Sequence, residues 1–160
     1  MKKKSIHFDY TEFDSLEELD KTDRLLLNTA RQALSTSYAP YSGFKIGSAV
    51  LLDNGKIVVG SNQENASFPS GICGERAAIY AARSLHPDHT IKVIAIANSK
   101  QKGATHRAAA PCGQCRQAIL EYEHLFDHPI KLILAGDQGS IIIVHRVADL
   151  LPLGFGADFL

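Results

Sequence analysis

Apolar and polar positions along this chain recur with two different periods, and the switches between them mark out the elements. From Thr22 or Asp23 onward, Leu25, Leu26, Leu27, Ala30, Ala33 and Leu34 return at three- and four-residue spacing, the repeat of one buried helical face. The run Tyr38-Ala39-Pro40-Tyr41-Ser42-Gly43-Phe44 breaks that helix. Two β-rich runs come next, 46–52 and 56–60, joined by Asp53-Asn54-Gly55, and an Asn-Gly pair in such a place signals a hairpin. Ile79, Ala82 and Leu85 predict a second helix over 73–85, and Ile91 to Ala97 reads as a buried strand. A loop over 98–111 leads to a third helix over 112–122. Two last strands, 130–135 and 140–145, are separated only by Gly136-Asp137-Gln138-Gly139. So short a link makes them antiparallel, because a parallel return needs a dozen or more residues. A short closing helix over 147–151 ends at Pro152. The order implies an α/β fold: a five-stranded mixed sheet with helices on its faces. Residues 1–20, with Asp9, Glu12, Asp14, Glu17, Glu18 and Asp20, read as an acidic, weakly structured extension with a short helical turn, and 21–160 as one domain.

Composition narrows the function classes. A chain of 160 residues can bury one substantial core, and 45% hydrophobic with 21% charged residues is ordinary for a globular protein. Seventeen basic side chains balance seventeen acidic ones, so the basic excess of a nucleic-acid binder is missing and no polymeric nucleic-acid partner is expected. Met1-Lys2-Lys3-Lys4 has no apolar run behind it, and no stretch approaches the ~18 apolar residues of a membrane span. The expected location is the cytoplasm, with no membrane partner. Three cysteines, an odd number, fit metal or catalytic chemistry better than a disulfide framework.

All three cysteines lie in two short segments, Cys73-Gly74-Glu75 and Pro111-Cys112-Gly113-Gln114-Cys115, each at the expected start of a helix. Three thiolates can hold Zn²⁺ and leave the fourth tetrahedral position open, as a catalytic site requires. Helix amino termini offset part of the negative charge. Arg76 and Arg116, each directly after a key residue, are placed to donate to the sulfurs from outside the ligand set. Glu75, two positions after a ligand, is placed to shuttle protons rather than to bind metal. A redox pair would account for Cys112-x-x-Cys115 but not for Cys73-x-Glu75. A structural zinc site calls for a fourth Cys or His, and none of the seven histidines stands in a Cys-x-x-His or His-x-x-x-His arrangement.

Together, Cys73-x-Glu75 and Pro111-Cys112-x-x-Cys115 resemble the zinc deaminase signature. With cysteine rather than histidine as first ligand, the chain looks like the tetrameric class of cytidine deaminases that act on free nucleosides, and the antiparallel final strands agree. The resemblance runs from about Leu26 to Leu160. It implies a three-layer α-β-α fold, one Zn²⁺ per chain, a homotetramer, and hydrolytic deamination of cytidine and 2′-deoxycytidine in pyrimidine salvage. By the same resemblance, Asn62 and Glu64 match the pair that binds the ribose hydroxyls, and Phe44 the aromatic against the pyrimidine ring. The Gly74 N–H matches the donor to the base carbonyl, and the Ala110 carbonyl the acceptor for the departing amine. Phe155 resembles the aromatic lent to a neighbouring subunit's pocket. Three positions depart from the pattern: Gly74 stands for the usual Ala, Phe68 for a Tyr that reaches a neighbour's ribose, and Ala110 for Ser or Thr. A deaminase of a nucleoside antibiotic such as blasticidin S would lack Glu64, and a non-catalytic zinc scaffold would lack Glu75.

Overall fold

Asp20 sets the first helix: its carboxylate accepts from the Asp23 amide at 2.8 Å and satisfies one of the free N–H groups, so α1 runs Lys21–Ala33. The computed structural model describes all 160 residues, apart from the side chain of Asp158. The strands are β1 (Tyr10–Phe13), β2 (Phe44–Leu52), β3 (Ile57–Ser61), β4 (Ile91–Lys100), β5 (Lys131–Ala135) and β6 (Ile141–Val144). The other two long helices are α2 (Gly74–Leu85) and α3 (Gly113–Leu125). The expected closing helix is a single 3-10 turn, Val147–Leu150. Gly55 turns the β2–β3 hairpin with φ +80°, where a side chain would be strained.

The sheet order is β1-β6-β5-β4-β2-β3. Only β4 and β5 pair in parallel, with α3 in the crossover between them, and β5 and β6 pair antiparallel. Side chains on successive strand positions go to opposite faces. Ile46 and Val50 of β2, Ile94 and Ile96 of β4, and Leu132 and Leu134 of β5 pack with Ala78 and Ile79 of α2 and Ile119 of α3. Their neighbours Ala49, Val93, Ala95 and Ile133 pack instead with Leu26, Leu27 and Ala30 of α1.

One expectation is corrected. The sheet has six strands rather than five, because the amino-terminal extension supplies β1, paired antiparallel to β6 from Tyr10↔Val144 to Phe13↔Ile141. The extension is more ordered than its charge implies. The Glu18 carboxylate caps a 3-10 turn by accepting from Ser15 N at 2.8 Å, and Leu19 is buried against the α1 side of the core.

Strand direction decides where the site lies. β2 is antiparallel to both β3 and β4, so β3 and β4 end at the same edge, where β2 begins at Phe44. α2 and α3 both start from loops that leave this edge, and crevices outside strand carboxyl ends are where α/β sheets bind ligands. Gly60 lets α2 come down onto β3, since a Cβ there would lie 2.4 Å from the Ala78 nitrogen and 2.8 Å from the Gly74 oxygen. Those contacts are backbone and cannot swing away. Gly60→Ala is therefore expected to destabilise the protein by about 1–3 kcal/mol, read as a lower midpoint at unchanged slope in urea unfolding. A variant as stable as the parent would show that α2 is not seated on β3 in this way.

Candidate active site

Cys73 is the N-cap of α2 and Cys112 the N-cap of α3, with Cys115 in the first turn of α3. The two helix amino termini converge, and all three sulfurs lie within 4.8 Å of one another. The Cys73 and Cys112 sulfurs are 3.8 Å apart, and those of Cys112 and Cys115 are 3.5 Å apart. Tetrahedral zinc with Zn–S near 2.3 Å calls for sulfurs about 3.8 Å apart, so the cluster fits such an ion. Among the described residues, no other group of three His, Cys, Asp or Glu side chains has this closeness.

Charge is distributed to suit. The neighbouring Cys115 thiol, with Arg76 and Cys112 adding to it, pulls the Cys73 thiol down to about 5 against its burial. The Cys73 sulfur, together with burial, pushes Cys115 up. Burial works against the Arg76 charge, but the nearby Cys73 and Cys115 sulfurs outweigh it and hold its pKa up. Arg76 lines the cleft beside Cys73. Arg116, expected at the sulfurs as well, turns to backbone carbonyls. Its Nε donates to the Pro111 carbonyl at 2.7 Å and its Nη1 to the Leu150 carbonyl at 2.8 Å.

Glu75 is 4% exposed, and its Oε2 is buried with no hydrogen-bond partner in the chain. A carboxylate oxygen is seldom left so unless something else occupies the space before it. Burial raises its pKa to about 7, and the nearby Cys73 charge adds to that.

A cleft of about 670 Å³ opens over these groups, lined by Cys73, Glu75, Arg76, Cys112 and Ala110, and further out by Phe44, Asn62 and Glu64. Two residues not singled out from sequence hold the far wall. Ser37 donates its hydroxyl to Asn62 Oδ1, which also accepts from Ile46 N at 2.8 Å, while Asn62 Nδ2 donates to the Phe44 carbonyl at 2.9 Å. Ser42 donates its hydroxyl to Glu64 Oε1, and Glu64 Oε2 accepts from Tyr41 N at 2.9 Å and Ser42 N at 3.3 Å. The Ser42 hydroxyl, and after it the Tyr41 amide, hold the Glu64 carboxyl below its ordinary pKa. The run Tyr41-Ser42-Gly43-Phe44 carried the signal for Ser42, whereas Ser37 had none.

Gly74 is buried in the first turn of α2, against β2. A Cβ there would sit 2.9 Å from Ile46 Cγ2 and 3.0 Å from the Ile46 oxygen, which accounts for glycine in place of alanine beside this isoleucine. Phe68, 75% exposed, meets Tyr41 edge to face at the rim, with centroids 5.9 Å apart. Phe155 does not join its own chain's cleft. It is 55% exposed and stacks on Phe159 with centroids 5.4 Å apart.

Residues 20–125 match the family described as the cytidine and deoxycytidylate deaminase zinc-binding region. A cytidine deaminase of Mycobacterium tuberculosis is 37% identical over 137 residues, covering 84% of this chain and 90% of that protein. One of Halalkalibacterium halodurans is 35% identical over 135 residues, covering 84% and 95%. The crystal structure of cytidine deaminase from Burkholderia pseudomallei aligns with a TM-score of 0.70 at 34% identity, over 82% of this chain and 97% of that one.

The sulfur geometry carries a direct expectation. The purified protein should hold one zinc per chain, and Cys112→Ala should lose it, as elemental analysis of dialysed samples can read. Two zincs per chain, or full retention in Cys112→Ala, would refute the ligand set.

Proposed function

The chain belongs to the cytidine and deoxycytidylate deaminase family and is a hydrolytic deaminase, and from that premise we propose that it converts free cytidine and 2′-deoxycytidine to the corresponding uridines. The observation that carries the reading is Glu75, buried with one oxygen unpartnered beside three converging cysteines at the floor of the cleft.

Zinc held by Cys73, Cys112 and Cys115 would supply Lewis acidity and a nucleophilic water at neutral pH. The rest falls to the chain. Glu75 takes a proton from the attacking water and passes it to ring N3 as the oxygen bonds to C4, then carries that oxygen's second proton to the exocyclic nitrogen, so that the C4–N bond breaks and ammonia leaves against the Ala110 carbonyl. Phe44 packs on the pyrimidine ring, and the Gly74 N–H, in a helical first turn without an intrahelical partner, serves the base carbonyl. Arg76 offsets the negative charge of the sulfurs.

Hydrogen-bond valence supports the sugar assignment. An amide side chain offers two donors and two acceptor sites, and Asn62 has one N–H left after its three contacts. A carboxylate has about four acceptor sites, and three of those on Glu64 are taken. One donor beside one acceptor suits a hydroxyl, which can accept and donate at once. The 3′-hydroxyl is common to ribose and deoxyribose, in keeping with both substrates. Glu64 also argues against a blasticidin-type substrate.

The packing of α1 against one set of strand positions and of α2 and α3 against the other supports the three-layer α-β-α architecture. No helix is long and apolar enough to cross a membrane, and we place the enzyme in cytoplasmic pyrimidine salvage.

Absorbance assays on cytidine, deoxycytidine, cytosine and blasticidin S test the substrate class, with both nucleosides expected to turn over and the free base scarcely. Equal rates on cytosine and cytidine would sink the sugar site. Glu75→Gln should keep its zinc and lose activity by ~10²- to 10⁴-fold, because the amide keeps the shape but moves no proton. Activity within a few-fold of the parent would dismiss the proton shuttle.

The homotetramer is proposed on the exposed Phe155 and Phe159 pair at one end of the chain and the exposed Tyr41 and Phe68 at the cleft rim. Light scattering at assay concentration should give the mass of four chains, and a fully active monomer would refute it.

A further inference from the structure

The carboxy-terminal segment beyond β6 is laid along α3, the helix whose first turn carries two of the three cysteines. Glu123 accepts from Val147 N at 2.8 Å and from Ala148 N at 3.3 Å. Gly154 comes down on Leu120, where a Cβ would sit 2.6 Å from Leu120 Cδ2. Gln117 donates to the Phe155 carbonyl at 2.9 Å. None of these contacts reaches the metal loop. Arg116 differs, because its Nε holds the Pro111 carbonyl, immediately before Cys112, while its Nη1 holds the Leu150 carbonyl. A guanidinium is a planar fork with fixed donor directions, so the position of one carbonyl restricts the other.

Resting on the reading of the three cysteines as a zinc site, we propose that Arg116 is a positioning residue that couples the metal loop to the carboxy-terminal segment. Holding the Cys112 loop still keeps Pro111, and through Arg116 Leu150, in one place. Coupling of this kind is reciprocal, so a seated segment also steadies the loop that holds the metal. Beyond Leu150 and Pro152, the same segment presents the stacked rings of Phe155 and Phe159. A lysine cannot replace this link, since one ammonium centre on a flexible stem does not span two carbonyls in a fixed plane.

Two readouts test it on the zinc-loaded full chain. In the parent protein, removing zinc should speed hydrogen exchange across 147–155 by about tenfold or more, within the usual range for coupled sites. Arg116→Ala and Arg116→Lys should both pass zinc to a chromogenic chelator on the order of 10- to 100-fold faster than the parent. Gln117→Ala, which frees Phe155 without touching the metal loop, should speed exchange near 155 and leave zinc transfer within twofold. Exchange in 147–155 that ignores zinc in the parent overturns the coupling whether or not any variant folds. Parent-like zinc transfer from a folded Arg116→Lys overturns the role of Arg116 while leaving the zinc site intact. A parent protein that binds no zinc removes the zinc-site reading and this one with it.

Discussion

Three cysteine sulfurs and a carboxylate, which repel one another once ionised, are crowded into one small volume, and most of this architecture can be understood as the means of holding them there. The positive ends of α2 and α3 both point at the cluster, and the Arg76 guanidinium adds a full charge against two of the sulfurs. Two helices begin at one place most directly when the strands before them end on the same side of the sheet. That is achieved by β2, which lies between β3 and β4 antiparallel to both, so that those two point the same way. The glycines at 60 and 74 complete the arrangement by letting α2 sit against β3 and β2 closely enough for Cys73 to meet the α3 sulfurs. Topology, close approach and charge are solutions to a single electrostatic problem.

The outer half of the cleft obeys a different logic. Asn62 and Glu64 are not free side chains waiting for a sugar. Each is already committed to three protein contacts that lock the loop around Tyr41–Phe44 against the end of β3. One directed valence apiece is left over, held rigid by the bonds already made. A ligand hydroxyl meeting such groups does not have to order them, and this is how preorganisation raises selectivity without adding contacts. Glu75 is the contrast, with one buried oxygen left without a partner in the chain, as the proposed proton shuttle would need.

Much of this was legible in the sequence because periodicity and ligand spacing are local. Residues 46–52, 91–97 and 112–122 declare their elements without reference to the rest of the chain. β1 does not. Tyr10-Thr11-Glu12-Phe13 is mostly exposed and lacks an apolar alternation, and it is a strand only because β6 offers it an edge. The two arginines part for a reason that spacing does not hold. Arg76 is three residues past Cys73 and Arg116 four past Cys112, each close to one helical turn from a cysteine. Arg116 nevertheless turns to the carbonyls of Pro111 and Leu150, and Leu150 is 34 residues away in the chain. Ser37 and Ser42 act on side chains about two dozen residues away, and no local pattern announces contacts of that range.

The exposed aromatics make a last connection between the site and the chain's end. Tyr41 and Phe68 stand at the mouth of the cleft in edge contact, and Phe155 and Phe159 stack on each other where the segment leaves α3. All four rings are more than half exposed. Single exposed apolar side chains are ordinary, but paired rings at two separate places, one of them lining the cleft over the cysteines, are the form an interaction surface takes. The glycines on either side of Phe155 give its ring little to bury against within its own chain, and Phe68 offers an apolar face where a tyrosine would offer a hydroxyl. A neighbouring copy that brought its Phe155 to this rim would cover both surfaces at once and close the cleft over the ring of a bound pyrimidine. The same segment that α3 anchors within one chain would then serve the site of the next.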